Sequence, residues 1–147
     1  MKKIILVSIS VLMVLALGAC QGTPDISGNL EDLDGETVQV SGYVRSTIQV
    51  PFTDLTVYYM GAGDEIYTVI SADQRLNDEE VRFEGTVYAY DGAVAEEAPE
   101  DVRAAIESVV EAAGLVDVEA ESAFDNAFMY VRRFVLSRNH AFFIVEN

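Results

Sequence analysis

The chain contains one cysteine, one histidine and no tryptophan. A lone cysteine excludes an internal disulfide and a cluster of thiolate ligands. His140 is the only imidazole and stands in a predicted turn, so it gives little support to a histidine metal centre or a Ser–His catalytic pair, and we expect it in a surface turn. Neither a G-x-S-x-G motif nor a complete glycine-rich dinucleotide loop is present. The sequence therefore predicts a protein without catalytic activity, without a cofactor and without a metal centre.

Lysine is equally scarce, because only Lys2 and Lys3 occur. They precede an almost unbroken apolar run over residues 4–16, which small residues and Cys20 follow. A basic start, a short apolar core and a small-residue exit are typical of a secretory signal peptide. We expect residues 1–19 to be removed. An uncleaved membrane helix is the alternative, since residues 4–20 just reach the shortest span, about 17 residues, that crosses a bilayer.

The end of this leader reads LGAC, from Leu17 to Cys20. It resembles the lipobox of bacterial lipoproteins. The resemblance implies that the signal is cut before Cys20, whose thiol then carries a diacylglycerol that anchors the chain to the membrane. The implied location is the cell envelope, on the extracytoplasmic side. Gln21 resembles the sorting pattern for the outer membrane in bacteria that have two membranes.

The charge of the remaining chain is strongly negative. Without Lys2 and Lys3, seven arginines stand against 25 acidic residues, a net charge of −18. Such a field repels phosphates, so we expect no nucleic acid partner and favour a basic one. Residues 20–29 are polar and rich in Gly, Pro and Ser, which predicts a lipidated tether. Residues 30–147 then suffice for one domain.

Alternation of apolar and polar residues indicates strands through much of this domain. In the first strand, Val38, Val40, Gly42 and Val44 share one face. Two further strands, over residues 55–60 and 65–70, flank a glycine turn, and a polar connector over residues 71–78 follows them. A fourth strand places Val81, Phe83, Gly85, Val87 and Ala89 on its inner face.

A helix is predicted over about residues 99–113. Pro99 suits a first helical position, acidic residues follow it, and Gly114 can end the helix. The residues between form an apolar stripe at helical spacing. The last third is ambiguous, because residues 124–135 fit either a helix face or a strand face. We favour a strand over residues 128–136, a turn at residues 137–140 and a last strand over residues 141–145.

The first and fourth strands carry the same motif, VQVSGYV over residues 38–44 and VRFEGTV over residues 81–87. A glycine inside a strand often marks the sharp coiling that closes a small barrel. The order of strands, with these glycines, resembles an OB-fold, in particular the small OB-fold domains of bacterial envelope proteins. The resemblance implies a mainly β fold with one amphipathic helix, an OB-like small closed or partly open β-barrel. The helix departs from the family by following the fourth strand, and a two-sheet sandwich is the alternative.

OB-folds often bind ligands on an aromatic sheet face, which makes the tyrosines the candidate binding residues. The predicted binding face consists of Tyr43, Tyr58, Tyr67, Tyr88 and Tyr90. The leading hypothesis is a lipid-anchored envelope adaptor that contacts a basic protein, a peptide or a glycan through this face. Alternatively, the tyrosines only cover the sheet beneath the helix.

Two other functions stay open. The first is a lipoprotein that binds a small ligand or a divalent cation through acidic residues near the helix start, namely Glu96, Glu97, Glu100 and Asp101. The second and weakest is a glycan-processing enzyme with two carboxylates, for which the sequence singles out no pair.

Overall fold

A computed structural model of the chain describes residues 30–147. The predicted signal peptide, Cys20 and the tether lie outside these residues. A short 3-10 helix, Leu30–Leu33, leads into the domain. The strands and helices that follow are β1 Thr37–Gln49, β2 Thr56–Ala62, β3 Glu65–Ser71, β4 Glu80–Ala89, α1 Glu100–Ala112, α2 Asp117–Arg138 and β5 Phe142–Glu146.

The five strands form a closed barrel in the order β1-β2-β3-β5-β4. β3 and β5 run parallel, and every other neighbouring pair is antiparallel. β1 is long enough to pair with β4 over its first half and with β2 over its second half, and a bulge between Val44 and Ser46 separates the two halves. This arrangement confirms the predicted fold class, a mainly β protein with an OB-like small barrel.

The repeated motif is explained by the pairing of β1 with β4. Its two copies lie side by side and antiparallel, with Val38 opposite Gly85 and Gly42 opposite Val81. Each glycine faces the first valine of the other copy.

Neighbouring strands of the barrel pack so closely at Gly42 and Gly85 that neither position has room for a side chain. A Cβ atom on Gly42 would lie 2.2 Å from the carbonyl oxygen of Gly61, and one on Gly85 would lie 2.5 Å from Cγ2 of Ile144. Real Cβ atoms essentially never approach so closely, so a side chain at Gly42 would push the strands apart and one at Gly85 would displace the Ile144 side chain.

Two hydrophobic layers share these strands. One fills the barrel interior and includes Val38, Tyr58 and Ile144. The other lies between the barrel's outer surface and the two helices, and it includes Tyr59 and Phe143. Because side chains alternate along a strand, neighbours such as Tyr58 and Tyr59 belong to different layers. β2 is accordingly buried on both faces over nearly its whole length.

The helices form the outer wall of the second layer. α1 lies within the range predicted for it, and it buries Val102, Ile106 and Val109. The predicted strand over residues 128–136 is wrong, because this segment belongs to α2. α2 buries residues at helical spacing, namely Ala123, Phe124, Ala127, Val131, Phe134 and Val135. The domain therefore has two helices where one was expected.

α2 ends at Asn139, whose left-handed backbone, with φ 53°, turns the chain back into β5. β5 begins one residue after the predicted start of the last strand. Among residues 30–147, no helix is long and apolar enough to cross a membrane.

Candidate functional site

The five candidate tyrosines do not share one surface. Tyr58 and Tyr67 are buried inside the barrel. Tyr90 is buried beneath the helices and Tyr88 is half-buried against the same layer. Tyr43 alone is largely exposed, at 47% of its maximum. The structure therefore leaves no continuous tyrosine face of the kind predicted.

Tyr58 takes part in a polar network at one end of the barrel. Its hydroxyl donates to Oε2 of Glu146 at 3.2 Å, and the Arg75 guanidinium binds the same carboxylate and Oε1 of Glu79 at 3.1 Å. Burial, reinforced by the charge of Glu146, raises the pKa of Tyr58 far above its ordinary value. Burial by itself would lower the pKa of the Arg75 guanidinium. The hydrogen bond from Arg75 to Glu146 outweighs this effect, and the pKa is raised. These contacts link β2, the segment after β3 and the last residue of β5.

Tyr88 and Tyr90 are occupied by neighbouring aromatic rings. The Tyr88 ring stacks on Phe143 with centroids 5.7 Å apart, and the Tyr90 ring meets Phe128 of α2 at the same distance. The Tyr90 hydroxyl donates to the carbonyl oxygen of Ala95 at 3.0 Å, and burial raises its pKa. The sheet face that these residues occupy is covered by the helices.

The acidic residues near the start of α1 lie on the surface, where Glu96, Glu97, Glu100 and Asp101 are all exposed. Nowhere in residues 30–147 do three His, Cys, Asp or Glu side chains gather in a group that could hold a metal ion. His140 is half-buried rather than exposed, and its ring stacks on Phe142 with centroids 5.2 Å apart.

The most unusual residue is Phe52, in the loop between β1 and β2. Its side chain is fully exposed, and its backbone has φ 65°, a left-handed conformation that bulky residues rarely adopt. Asp117, at the start of α2, is likewise left-handed with φ 54°. Strained backbone of this kind costs about 1–3 kcal/mol and is concentrated at functional sites.

These two strained segments flank the same groove. Phe52, Leu115 and Val118 all line one depression of about 460 Å³. Val116 and Val118 expose 65% and 78% of their side chains. We call Phe52, Leu115 and Val118 the Phe52 surface. It is an apolar patch built from the β1–β2 loop, the link between the two helices and the first turn of α2.

Acidic side chains surround the Phe52 surface. Asp54 and Glu119 line the depressions on either side of Phe52. Beyond Leu115 the groove continues between α1 and α2, where the lining acids are Glu107, Glu111, Glu121 and Asp125. The single cation in this stretch, Arg103, is 3.6 Å from Glu107 and lies over the Phe124 ring. The surroundings of the patch are therefore strongly negative.

The sequence reasoning missed this site, although it contains a signal. An aromatic residue stands alone in the polar loop PFTD over residues 51–54, and the helix link LVDV over residues 115–118 carries three apolar residues. Only the fold brings the two segments together. No protein-family model matches the chain, and neither a curated protein nor a solved structure matches it significantly.

Proposed function

We propose that the protein is a lipid-anchored, non-enzymatic adaptor of the cell envelope that holds a basic, partly apolar segment of a partner protein against its Phe52 surface. The observation that carries this proposal is the full exposure of Phe52 on a strained backbone. An aromatic side chain gains free energy when a partner removes it from water, and aromatic anchors dominate binding at many interfaces.

The anchor part of the proposal rests on the leader and its LGAC ending. Two acyl chains on Cys20 give stable membrane attachment, where one chain gives only marginal binding. The domain then stands on the extracytoplasmic side, and in the outer membrane where the organism has two membranes. Metabolic labelling with a fatty acid tests the anchor. Incorporation that Cys20→Ser abolishes supports it, and equal labelling of both chains contradicts it.

The chemistry of the partner follows from the charge around the site. Six acidic residues and one cation, Arg103, line the depressions around the site. Arg103 is already paired with Glu107. Complementary charge speeds encounter and disfavours acidic competitors. An apolar side chain flanked by Lys or Arg would place its apolar part on Val118 and its cations beside Glu119 and Asp125.

Photo-crosslinking in native membranes tests the binding site. A photoreactive phenylalanine replaces Phe52 in one chain and Arg82 in another, because Arg82 is exposed on the barrel wall away from the helices. We expect a discrete protein adduct from position 52 and none from position 82, with the crosslinked peptide rich in Lys or Arg. The same adduct from both positions, or none from position 52, overturns the proposal.

A further inference from the structure

Charge is segregated along α2. Its first half carries four acidic residues and no basic one, namely Asp117, Glu119, Glu121 and Asp125. Its last seven residues carry three arginines and no acid, namely Arg132, Arg133 and Arg138. Three of the seven arginines of the mature chain thus lie within two helical turns. This order suits the helix dipole, but the arginines also share a surface with exposed apolar side chains.

The second half of α2 presents these side chains outward. Met129 and Leu136 expose 52% and 42% of their side chains, and with Arg132 and Arg133 they line a shallow depression of about 620 Å³. We call these four residues the arginine surface. Arg133 makes no ion pair with any residue that the structure describes, and Glu96 is the only acid in the lining. The surface combines positive charge with flexible apolar groups.

The chain enters the domain at the same end of the barrel. The amide of Gly35 donates to the carbonyl of Val87 at 2.7 Å, and Asp34 accepts from the amide of Ala89 at 2.8 Å. Just beyond Ala89, Nε of Arg132 donates to the carbonyl of Gly92 at 3.1 Å. The point where the tether joins the fold is therefore next to the loop that the arginine surface holds.

The length of the tether brings this end close to the membrane. Ten residue steps separate Cys20 from Leu30, so the fully extended tether reaches at most about 35 Å. Leu30 is itself buried in the barrel core, which fixes the end of the tether to the domain. A lipid on Cys20 consequently keeps Leu30 within about 35 Å of the headgroups, which lets the arginine surface reach them.

We propose that the anchored domain docks its arginine surface on anionic headgroups of its own membrane, with Arg132 and Arg133 at the phosphates and Met129 and Leu136 at the interface. This inference rests on the proposed lipid anchor. The net charge of the domain does not act on this surface as a whole, because at physiological salt exposed charges interact over only about 8 Å, and α2 alone is about 33 Å long. Asp117, Glu119 and Glu121 therefore contribute little at the arginine surface, whereas Asp125, one turn before Met129, and Glu96 in the lining offset part of its positive charge.

Docking in this way would orient the molecule. α2 would run outward from the membrane, and the Phe52 surface would lie at its far end, open to a partner. The adaptor site and the membrane site would then occupy opposite ends of one helix.

Fluorescence quenching of the full lipidated protein in vesicles tests the orientation. One chain carries a fluorophore at Ser137→Cys beside the arginine surface, and another carries it at Ser122→Cys, about 22 Å nearer to the Phe52 surface. The vesicles contain either phosphatidylcholine alone or a mixture with phosphatidylglycerol, together with a quencher in the headgroup region. We expect strong quenching only from position 137 and only with the anionic lipid.

Charge variants sharpen this test. Arg133→Gln should lower the docked-to-undocked ratio about fivefold and Arg133→Glu further, since one arginine near an anionic surface contributes about that factor. Arg82→Glu, on the barrel wall, should change nothing, and the thermal midpoint of each variant verifies its fold.

The outcomes separate the two proposals. Protein that fails to float with any vesicle contradicts the lipid anchor, and the docking falls with it. Protein that floats but shows equal quenching at both positions, or quenching that is independent of lipid charge, overturns the docking alone. Such a result would leave an acidic protein as the ligand of the arginine surface.

Discussion

The barrel interior and the layer beneath the helices are made by the same strands, but different contacts complete them. The interior is mostly aliphatic, and a polar network around Tyr58 lies at one end. The outer layer is mostly aliphatic as well, but it contains stacked rings, with Tyr59 on Phe134 of α2 at 4.3 Å and Tyr88 on Phe143 at 5.7 Å. Aromatic rings on the outside of a barrel thus serve here to hold helices, which directs the search for a binding site away from the sheet and towards the loops.

The largest expected effect comes from breaking the barrel wall. Gly42→Val places a side chain against the backbone of Gly61, where a Cβ atom already meets the carbonyl oxygen at 2.2 Å. Because backbone cannot yield as a flexible side chain can, we expect a loss of more than about 3 kcal/mol in the free energy of unfolding, measured by urea denaturation. Ser41→Ala, the exposed neighbour, should stay within about 0.5 kcal/mol of the parent. A cooperative, near-parental transition in Gly42→Val would show that the strands can separate.

Removing one ring of the outer layer should lower the free energy of unfolding somewhat less. Phe134→Ala deletes a buried ring that stacks on Tyr59, and such a deletion costs about 3 kcal/mol. Met129→Ala, on the exposed side of the same helix, is the matched control and should cost less than about 1 kcal/mol. Equal losses in the free energy of unfolding would mean that the buried face of α2 contributes no more to stability than its exposed face. Chemical denaturation of both chains measures the difference.

Opening the barrel end should have an intermediate effect. Arg75→Met leaves the Glu146 carboxylate, whose side chain is only 9% exposed, without its cation. Because Arg75 itself keeps some contact with water, we expect a loss of about 2 kcal/mol rather than the larger cost of a fully buried pair. Arg103→Met breaks an exposed pair and should cost less than about 0.5 kcal/mol. Thermal and urea unfolding measure both losses. Equal losses in the free energy of unfolding would contradict this prediction.

The smallest effect is a dependence of stability on alkaline pH. The folded state raises the pKa of Tyr58 above the unfolded value of about 10, so the folded protein retains the phenolic proton longer. Stability from this group is therefore complete below pH 10 and falls as pH rises, by about 1.4 kcal/mol at pH 11. Tyr58→Phe should flatten that part of the curve, whereas Tyr43→Phe, exposed on the barrel wall, should not. Parallel curves for the two variants would refute the role of Tyr58.

The half-buried strands could be predicted because one face of each meets water. In β1 and β4 the valines alternate with exposed residues, so period two is visible in the sequence. In β2 both faces are buried, and nothing in the alternation of Tyr58 and Tyr59 tells which of them faces the interior. For this reason the sequence was sufficient to predict the class of fold. It was not sufficient to predict which tyrosines lie on an exposed face.

α2 was misread because its apolar residues suit two periods. Over residues 128–136 they fit a strand about as well as a helix, and only the burial of residues from 123 to 135 distinguishes the two. The Phe52 surface lay beyond pattern reasoning for another reason. It joins segments that are more than sixty residues apart, and the exposure and strain of Phe52 are properties of the folded loop.

The position of β5 in the barrel has a consequence for how the chain reaches its native state. β5 pairs with both β3 and β4, yet it follows β4 only after two helices. Until synthesis has passed Glu146, both neighbours present unpaired backbone edges, which readily recruit other chains. Formation of the barrel is therefore a late, non-local event that loop closure slows. A chain with this topology can remain open until its last strand is available, and only then close the barrel.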